Sequence, residues 1–555
     1  MKNPQQKIKL PIPLWLIWAT ALGFVLAGLG SFGVLDNNEG LYADISREML
    51  LSRDWRHWII PYLNGLPYME KPPLLYWLTA LSFAVFGVSE WSARLVPALS
   101  SLACVAMLLQ FGRIVGRPRA GRLAALMFAS SIGVVAMSRL LMFDMLLTAL
   151  LTAALMCAYR HLHDGNKKWL RMAYACLALA SLTKGSVALV LFGLIVLSFM
   201  LVSRRLRDWR TWFEPYATLI FFAIAAPWHV MASLTEPFFA WFYFYNEHVL
   251  RFLGRREPRD YYSGPWWYYL PRMLAYLFPW SALLSGLYFS ARKPLNTRQL
   301  PLQRFLWLAW LLPLLFFSIS SAKANYYLIA AVPFAAFHLA TAIENRGFLS
   351  GIGAAAPGLL IAVIAAGLCI WVTTGFENTR PNVVILGLKI PAFALVVLTG
   401  LAILALGSAY CAWRNTGVGI LTYLVLSAWL TATLKVTLVE IEPLVSTRSL
   451  ATYIQRTLPD REVYLYRDFE DVSSLSFYLK KSLAVVESRS NDLFWGNRLR
   501  ENNIVISADQ FNARLPGKPV AIVVADRQIE SFRESIFFQR FKTVKRIGGI
   551  SVFVN

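Results

Sequence analysis

At 555 residues, with 57% hydrophobic and 15% charged side chains, the chain is too apolar to be an ordinary soluble globule. Its formal net charge is +23, but the basic residues lie in short loops between apolar runs, which points to anionic membrane lipid rather than nucleic acid as their partner. The five cysteines, Cys104, Cys157, Cys176, Cys369 and Cys411, all fall inside apolar runs with no CxxC spacing, so neither a disulfide framework nor a cysteine metal site is expected.

In chain order, apolar runs occur at 13–34, 74–90, 93–112, 121–138, 145–159, 172–183, 186–202, 213–231, 271–290, 305–320, 326–343, 352–373, 390–412 and 417–437. Most approach the ~20 residues that a helix needs to cross the hydrocarbon core. The first follows Lys2, Lys7 and Lys9 and is too long for a signal segment, so it is read as a retained span. Four basic loops, Arg113–Arg122, Arg160–Arg171, Arg204–Arg210 and Arg292–Arg304, belong together on the cytoplasmic side. They all reach it if 74–90 lies at the interface instead of crossing, and Pro72 and Pro73 at its start suit such a helix. The reading is about thirteen spans, with the N-terminus cytoplasmic and the C-terminus outside.

From about residue 440 the composition changes. Short β-branched or aromatic runs at 463–467, 474–479, 483–488, 503–507, 520–526 and 550–555 predict strands, with helix-compatible stretches between several of them. The expectation is a small α/β domain over 440–555 behind a membrane part over 1–439.

The outer face collects the polar chemistry. Segment 35–73 holds Asp36, Glu39, Asp44, Glu48, Asp54, Glu70 and Lys71. Carboxylates beside a span cost free energy unless they meet water, a metal or a cation, so the segment is read as functional. Asp144 stands between apolar neighbours in RLLMFDMLLTA and is read as functional for the same reason. Lys184 in LTKG and Lys323 in SAKANYY sit at helix ends, either as snorkelling anchors or as site residues. The loop 232–270 is crowded with aromatic residues, as an interfacial belt would be. It also carries Glu247, His248, Arg251, Arg255 and Arg256, which a belt does not need. Lys and Arg on this face suit a phosphate, and carboxylates suit orienting or deprotonating an acceptor. Glu70 and His248 supply the carboxylate and imidazole that a divalent metal takes. Together these residue types suit a substrate with a lipid tail and a phosphate head.

The segments NEGLYADISREMLLSRDW (38–55), YMEKPPLLYW (68–77), the Asp144 corner, LTKG (182–185), NEHVLRF (246–252), PWWYYLP (265–271) and KANYYL (323–328) have a further property. In order and spacing they resemble the bacterial polyprenyl-phosphate-sugar glycosyltransferases of the GT-C fold, most nearly the lipid A aminoarabinose transferases. The resemblance implies an all-α polytopic inner-membrane enzyme with interfacial periplasmic helices and a small periplasmic α/β domain. It implies transfer of 4-amino-4-deoxy-L-arabinose from undecaprenyl phosphate to a lipid A phosphate, with zinc as a candidate metal and no organic cofactor. Transferred by position, Glu39 and Asp144 are the catalytic acids. Asn38, Lys71, Arg256, Lys323 and Tyr327 bind the lipid phosphate and sugar, and Glu70 and His248 hold the metal. The family pattern Asp-Glu-x-Arg reads Asn38-Glu39-Gly40-Leu41 here. Asn cannot act as a base, so that role passes to Glu39, Asp36 or Asp144, and Leu41 removes a phosphate contact. Another sugar, such as mannose, moved to a protein or polysaccharide acceptor is the related alternative. A lipid-linked-sugar transporter is the rival class. No internal repeat of matched hydropathy supports it, and the charge gathers on one face instead of mid-membrane.

Overall fold

The computed structural model describes residues 12–259, 263–285, 300–346, 352–375 and 384–555. Expectations resting on Lys2, Lys7, Lys9, Tyr261, Tyr262, Arg292, Lys293 and Arg298 lie outside the described residues.

Among the described residues, eight helices are long and apolar enough to cross a membrane, and the chain is a multi-pass membrane protein. The first of the eight, Glu90–Ile114, starts at a Ser89 capping box. Phe143–Asp164 stops at Gly165, whose φ of 67° gives the left-handed cap that favours glycine. Asn166 then caps Lys167–Lys184, so these two helices form a tight antiparallel hairpin. Leu74–Phe86 has 13 residues and measures about 20 Å by helical rise, short of the ~30 Å hydrocarbon core. That length agrees with an interfacial placement. Leu14–Leu26 is equally short: the run read as one span over 13–34 leaves the helix at Ala27 and turns through Gly28. The run 121–138 also differs, breaking at Ser131 between Pro118–Ser130 and Ile132–Met137.

The acidic segment after the first helix contains a helix, Asn38–Leu51, most of which is buried despite its polar sequence. One side of it packs on Leu74–Phe86 and on Phe143, and the C-terminal unit covers another. Six strands there pair in the order β3-β2-β1-β4-β6-β5, with β1 Glu462–Tyr466, β2 Ala484–Val486, β3 Val505–Ile506, β4 Val520–Ala525, β5 Lys542–Ile547 and β6 Ile550–Val554. The pairs β1–β2, β2–β3 and β1–β4 are parallel, whereas β6 is antiparallel to both β4 and β5. One face closes over Tyr464, Tyr466, Phe511, Phe532, Phe537 and Phe553.

One strand expectation needs correction, and one strand was not expected. Residues 474–479, SLSFYL, form a helix, because every one of its first four side chains is buried and its serines have partners a strand would not reach. Ser474 bonds Asp36 and Thr447, and Ser476 bonds Asn64. Conversely β5, KTVKRI, is a strand with no apolar alternation; it is one edge of the sheet and is exposed, where lysines discourage pairing with other chains.

The sheet unit is docked on the outer segment through satisfied polar contacts. Ser474 N–H and Oγ donate to Asp36 Oδ1 at 2.9 and 2.7 Å, and Asn37 N–H donates to the Glu470 carbonyl at 3.0 Å. A side chain at Gly40 would strike Ser473 and Ser474, so glycine there permits the close approach.

Candidate functional site

The ends of five elements meet under the sheet unit. They are the Glu70–Pro72 turn, the start of Phe143–Asp164, the end of Lys167–Lys184, the segment 243–256, and the 3₁₀ turn Asn325–Ala331. Helix ends and turns converge here because each membrane helix must close its hydrogen bonds before leaving the hydrocarbon.

Asp144 lies in the first turn of its helix, where the helix dipole favours a carboxylate. Its Oδ1 is 2.5 Å from Lys184 Nζ, and both side chains are largely buried. Lys184 Nζ also stands 4.4 Å from the Tyr327 ring centre, a cation–π contact that positions it without neutralising it. The hairpin between the two helices brings residues 144 and 184 together.

Lys71 Nζ is 3.6 Å from both Glu70 and Glu247. Arg256 Nη2 donates to Glu70 Oε1 at 2.5 Å, its Nε donates to Glu247, and Arg251 Nη1 reaches Glu247 at 2.8 Å. Burial alone would raise the proton affinity of Glu247, but Arg256, Arg251 and Lys71 outweigh it and hold its carboxyl well below the usual carboxylate range. Burial would likewise favour neutral Arg256, yet Glu70 and Glu247 raise its pKa and keep it charged. Glu247, Arg251 and Arg256 sit on a π-helix, Trp241–Leu250, and the segment after it, not in the open loop that the aromatic sequence suggests. Phe242 and Tyr243 are buried there, while Trp241, Phe244 and Tyr245 are exposed as an interfacial belt would be.

Two connected cavities result. The larger, about 420 Å³, has a charged end at Lys71, Asp144, Lys184 and Arg251, and an apolar arm along Leu147, Val187, Val190, Phe252, Phe316 and Phe317. The smaller, about 40 Å³, lies toward the sheet unit and is lined by Asn38, Tyr42, Tyr68, Glu70, Arg256 and Asp492, among others. Lys71, Asp144, Lys184, Arg251 and Tyr327 border both.

Of the residues singled out in the sequence, Asn38, Glu70, Lys71, Asp144, Arg256 and Tyr327 come together here, with His248 at the rim. Three assignments change. Glu39 is withdrawn from both cavities: Arg94 and the amides of Leu35 and Leu141 occupy its carboxylate at 2.8–2.9 Å, so it clasps backbone instead of meeting a substrate. Lys323 donates to the carbonyls of Phe317 and Ser318 at 2.9 and 2.6 Å, which caps the end of Leu300–Ile319. His248 accepts from the Ser186 amide through Nε2 at 3.1 Å and turns Nδ1 to the Tyr243 carbonyl. Gly185, at φ 73°, leaves the room for that ring; any side chain there would run into it.

This donor set does not fit a metal. Both imidazole nitrogens have partners, Glu70 is bound by Arg256 and Lys71, and no group of three or more candidate ligands occurs among the described residues. Lys184, Glu247 and Arg251, singled out in the sequence but given no specific role, also belong to the site, and Asp492, which nothing in the sequence singled out, joins them.

Residues 70–231 match the family model for dolichyl-phosphate-mannose-protein mannosyltransferase. An undecaprenyl phosphate-alpha-4-amino-4-deoxy-L-arabinose arabinosyl transferase of Pseudomonas fluorescens is 34% identical over 341 residues, 60% of this chain and 56% of that protein. The corresponding protein of Aeromonas salmonicida is 31% identical over 340 residues, 60% of each chain. The chain thus spans less than two thirds of the length of these relatives. Among solved structures, ArnT from Cupriavidus metallidurans bound to undecaprenyl phosphate superposes with a TM-score of 0.80 at 24% identity, over 97% of both chains. Its apo state gives 0.79 at 23% identity, again over 97% of both chains.

Proposed function

We propose that this chain, which has the GT-C membrane fold, is an inner-membrane glycosyltransferase. It takes 4-amino-4-deoxy-L-arabinose from undecaprenyl phosphate and passes it to a lipid A phosphate on the periplasmic face. The observation that carries the reading is the larger cavity, cationic at one end and apolar along its arm, which suits a phosphate attached to a polyprenyl chain. The names of the similar proteins supply the sugar and the lipid.

In this reading Lys71, Lys184 and Arg251 receive the donor phosphate, and the lipid tail lies along Val187, Val190 and Phe316. An acceptor phosphate oxygen attacks the anomeric carbon, a new C–O bond forms, and the bond to undecaprenyl phosphate breaks with its electron pair leaving on the phosphate. The cations stabilise that developing charge in a site largely screened from water. An ionised phosphate acceptor has no proton to lose, so Asn38 in the family's acidic position is compatible with turnover. Asp144 acts by holding Lys184 toward the phosphate. The residue set does not call for a metal in any of these steps.

The orientation follows the basic loops: N-terminus and Arg117 cytoplasmic, sheet unit periplasmic. A reporter fused at residue 117 should report the cytoplasm; a periplasmic signal would reverse the topology. Activity is tested with purified protein in nanodiscs, supplied with the aminoarabinose donor and lipid A, by mass spectrometry of the acceptor. A gain of one aminoarabinose is expected. Movement of donor across liposomes without release of undecaprenyl phosphate would favour transport instead.

A further inference from the structure

The smaller cavity contains three carboxylates of unequal standing. Asp144 is neutralised by Lys184 at 2.5 Å, and Glu70 by Arg256 at 2.5 Å and Lys71 at 3.6 Å. Asp492 has no salt-bridge partner among the described residues; its carboxyl meets the Tyr68 hydroxyl at 3.5 Å, at the limit of a hydrogen bond, and shares a hydrogen bond with the Glu470 side chain.

Asp492 is also held in place. Its N–H donates to Glu470 Oε1 at 3.1 Å, and Ser490 Oγ donates to the same oxygen at 2.6 Å while accepting from Leu493 N–H at 3.1 Å. Three residues on, Trp495 Nε1 donates to the Glu257 carbonyl at 2.9 Å, which fastens this part of the sheet unit to the turn carrying Arg256. Lys71, Lys184, Arg251 and Arg256 line the same cavity but are each paired to another carboxylate, so the fixed carboxyl of Asp492 is the one placed to pair with a ligand cation.

We propose that Asp492, brought in by the sheet unit, is a specificity-determining residue that binds the ammonium group of the transferred amino sugar. This rests on the transferase reading above and deepens it. The donor has two charged ends, an anionic phosphate and a cationic amine, and the site has two matching walls: Lys71, Lys184 and Arg251 for one, Asp492 for the other. The competing role, general base, is disfavoured by the acceptor. A phosphate is already ionised near neutral pH and would be repelled by a bare carboxylate beside it. Burial, then the charges of Glu70 and Glu470 and a hydrogen bond to Glu470, raise the proton affinity of Asp492 more than Arg256 lowers it, and an ammonium adds to the side that favours the ionised form.

The test compares wild type and Asp492→Asn in nanodiscs with lipid A and two donors, undecaprenyl-phosphate-aminoarabinose and its N-formyl derivative, which lacks the positive charge. Asp492→Asn should lower kcat/KM for the amino donor by about tenfold or more and leave the formyl donor within about threefold, so the preference collapses. Equal loss on both donors would overturn the assignment in favour of a structural or base role, as would no loss on either. Asp492→Ser, read by the same ratio, serves if the asparagine variant does not accumulate. A wild type that prefers the formyl donor overturns this inference and leaves transfer intact; a wild type inactive on both overturns the transferase reading and this inference with it.

Discussion

Replacing Glu39 with glutamine should destabilise the outer segment rather than stop the chemistry. Arg94 is fully buried, and each of its five N–H groups is used. Two bind Glu39 at 2.8 Å, and three bind the carbonyls of Leu29, Phe32 and Gly33 at 2.8–3.0 Å. The remaining acceptor capacity of Glu39 is filled by the amides of Leu35 and Leu141 at 2.9 Å. Glutamine keeps the shape but turns an NH₂ group toward donors and leaves the guanidinium without a counter-charge. Removing one partner of such a pair costs about 3–5 kcal/mol. Arg94→Met should fall in the same range, and the double variant should lose less than the sum of the two. The assay is thermal unfolding in detergent by tryptophan fluorescence, with turnover normalised to folded protein. A Glu39→Gln variant that melts like wild type yet loses ~100-fold or more in turnover would return Glu39 to the chemistry and refute the clasp.

Other substitutions separate the remaining roles. Lys71→Ala and Asp144→Asn should each cut turnover by about 10²-fold with normal expression, and near-native rates in both would remove the site. His248→Ala should leave bound metal per protein unchanged by elemental mass spectrometry, since both ring nitrogens already have partners; loss of a bound zinc would restore the metal role. Cys104→Ala, in a helix core with no reacting group nearby, should keep wild-type turnover, and a large loss there would show that the thiol is used. Burial pushes the Asp36 carboxyl, which faces Ser474, up to about 8 from an ordinary 3.8. A group whose folded pKa is raised adds stability that is full below its unfolded pKa and is lost as pH rises through the folded one. Apparent Tm should therefore fall between about pH 4 and 8, and Asp36→Asn should flatten part of that fall. Burial likewise raises Glu48 to about 8 and Asp471 to about 6, and both contribute to the remainder. An unchanged slope in the variant would contradict the assignment to Asp36.

What could be read from the chain divides along the range of the interactions. Apolar runs report helices because periodicity and length are local, and the short Leu74–Phe86 helix behind Pro72 and Pro73 was legible for that reason. The Asp144–Lys184 pair was legible in principle: two helices of similar length joined at Gly165 and Asn166 must return residue 184 to the level of residue 144. Local composition misleads where distant parts cover each other. The polar composition of Asn38–Leu51 suggests carboxylates free for function, because nothing nearby in sequence announces that residues 470–478 will help to bury it. The same docking turns SLSFYL from an apparent strand into a helix. Glu39 shows the converse error: a carboxylate beside a span is costly enough to suggest function, but Arg94 lies 55 residues away and answers that cost structurally. Asp492 could not be found at all from its neighbours, since its position in the cavity depends wholly on how the sheet unit is seated.

The most direct test of the account is a cryo-electron microscopy structure of the protein in nanodiscs with undecaprenyl phosphate. The account predicts the phosphate within hydrogen-bonding distance of Lys71, Lys184 and Arg251, with the polyprenyl chain leaving along Val187, Val190 and Phe316. A phosphate bound elsewhere, or the cavity left unfilled while lipid saturates another surface, would contradict it.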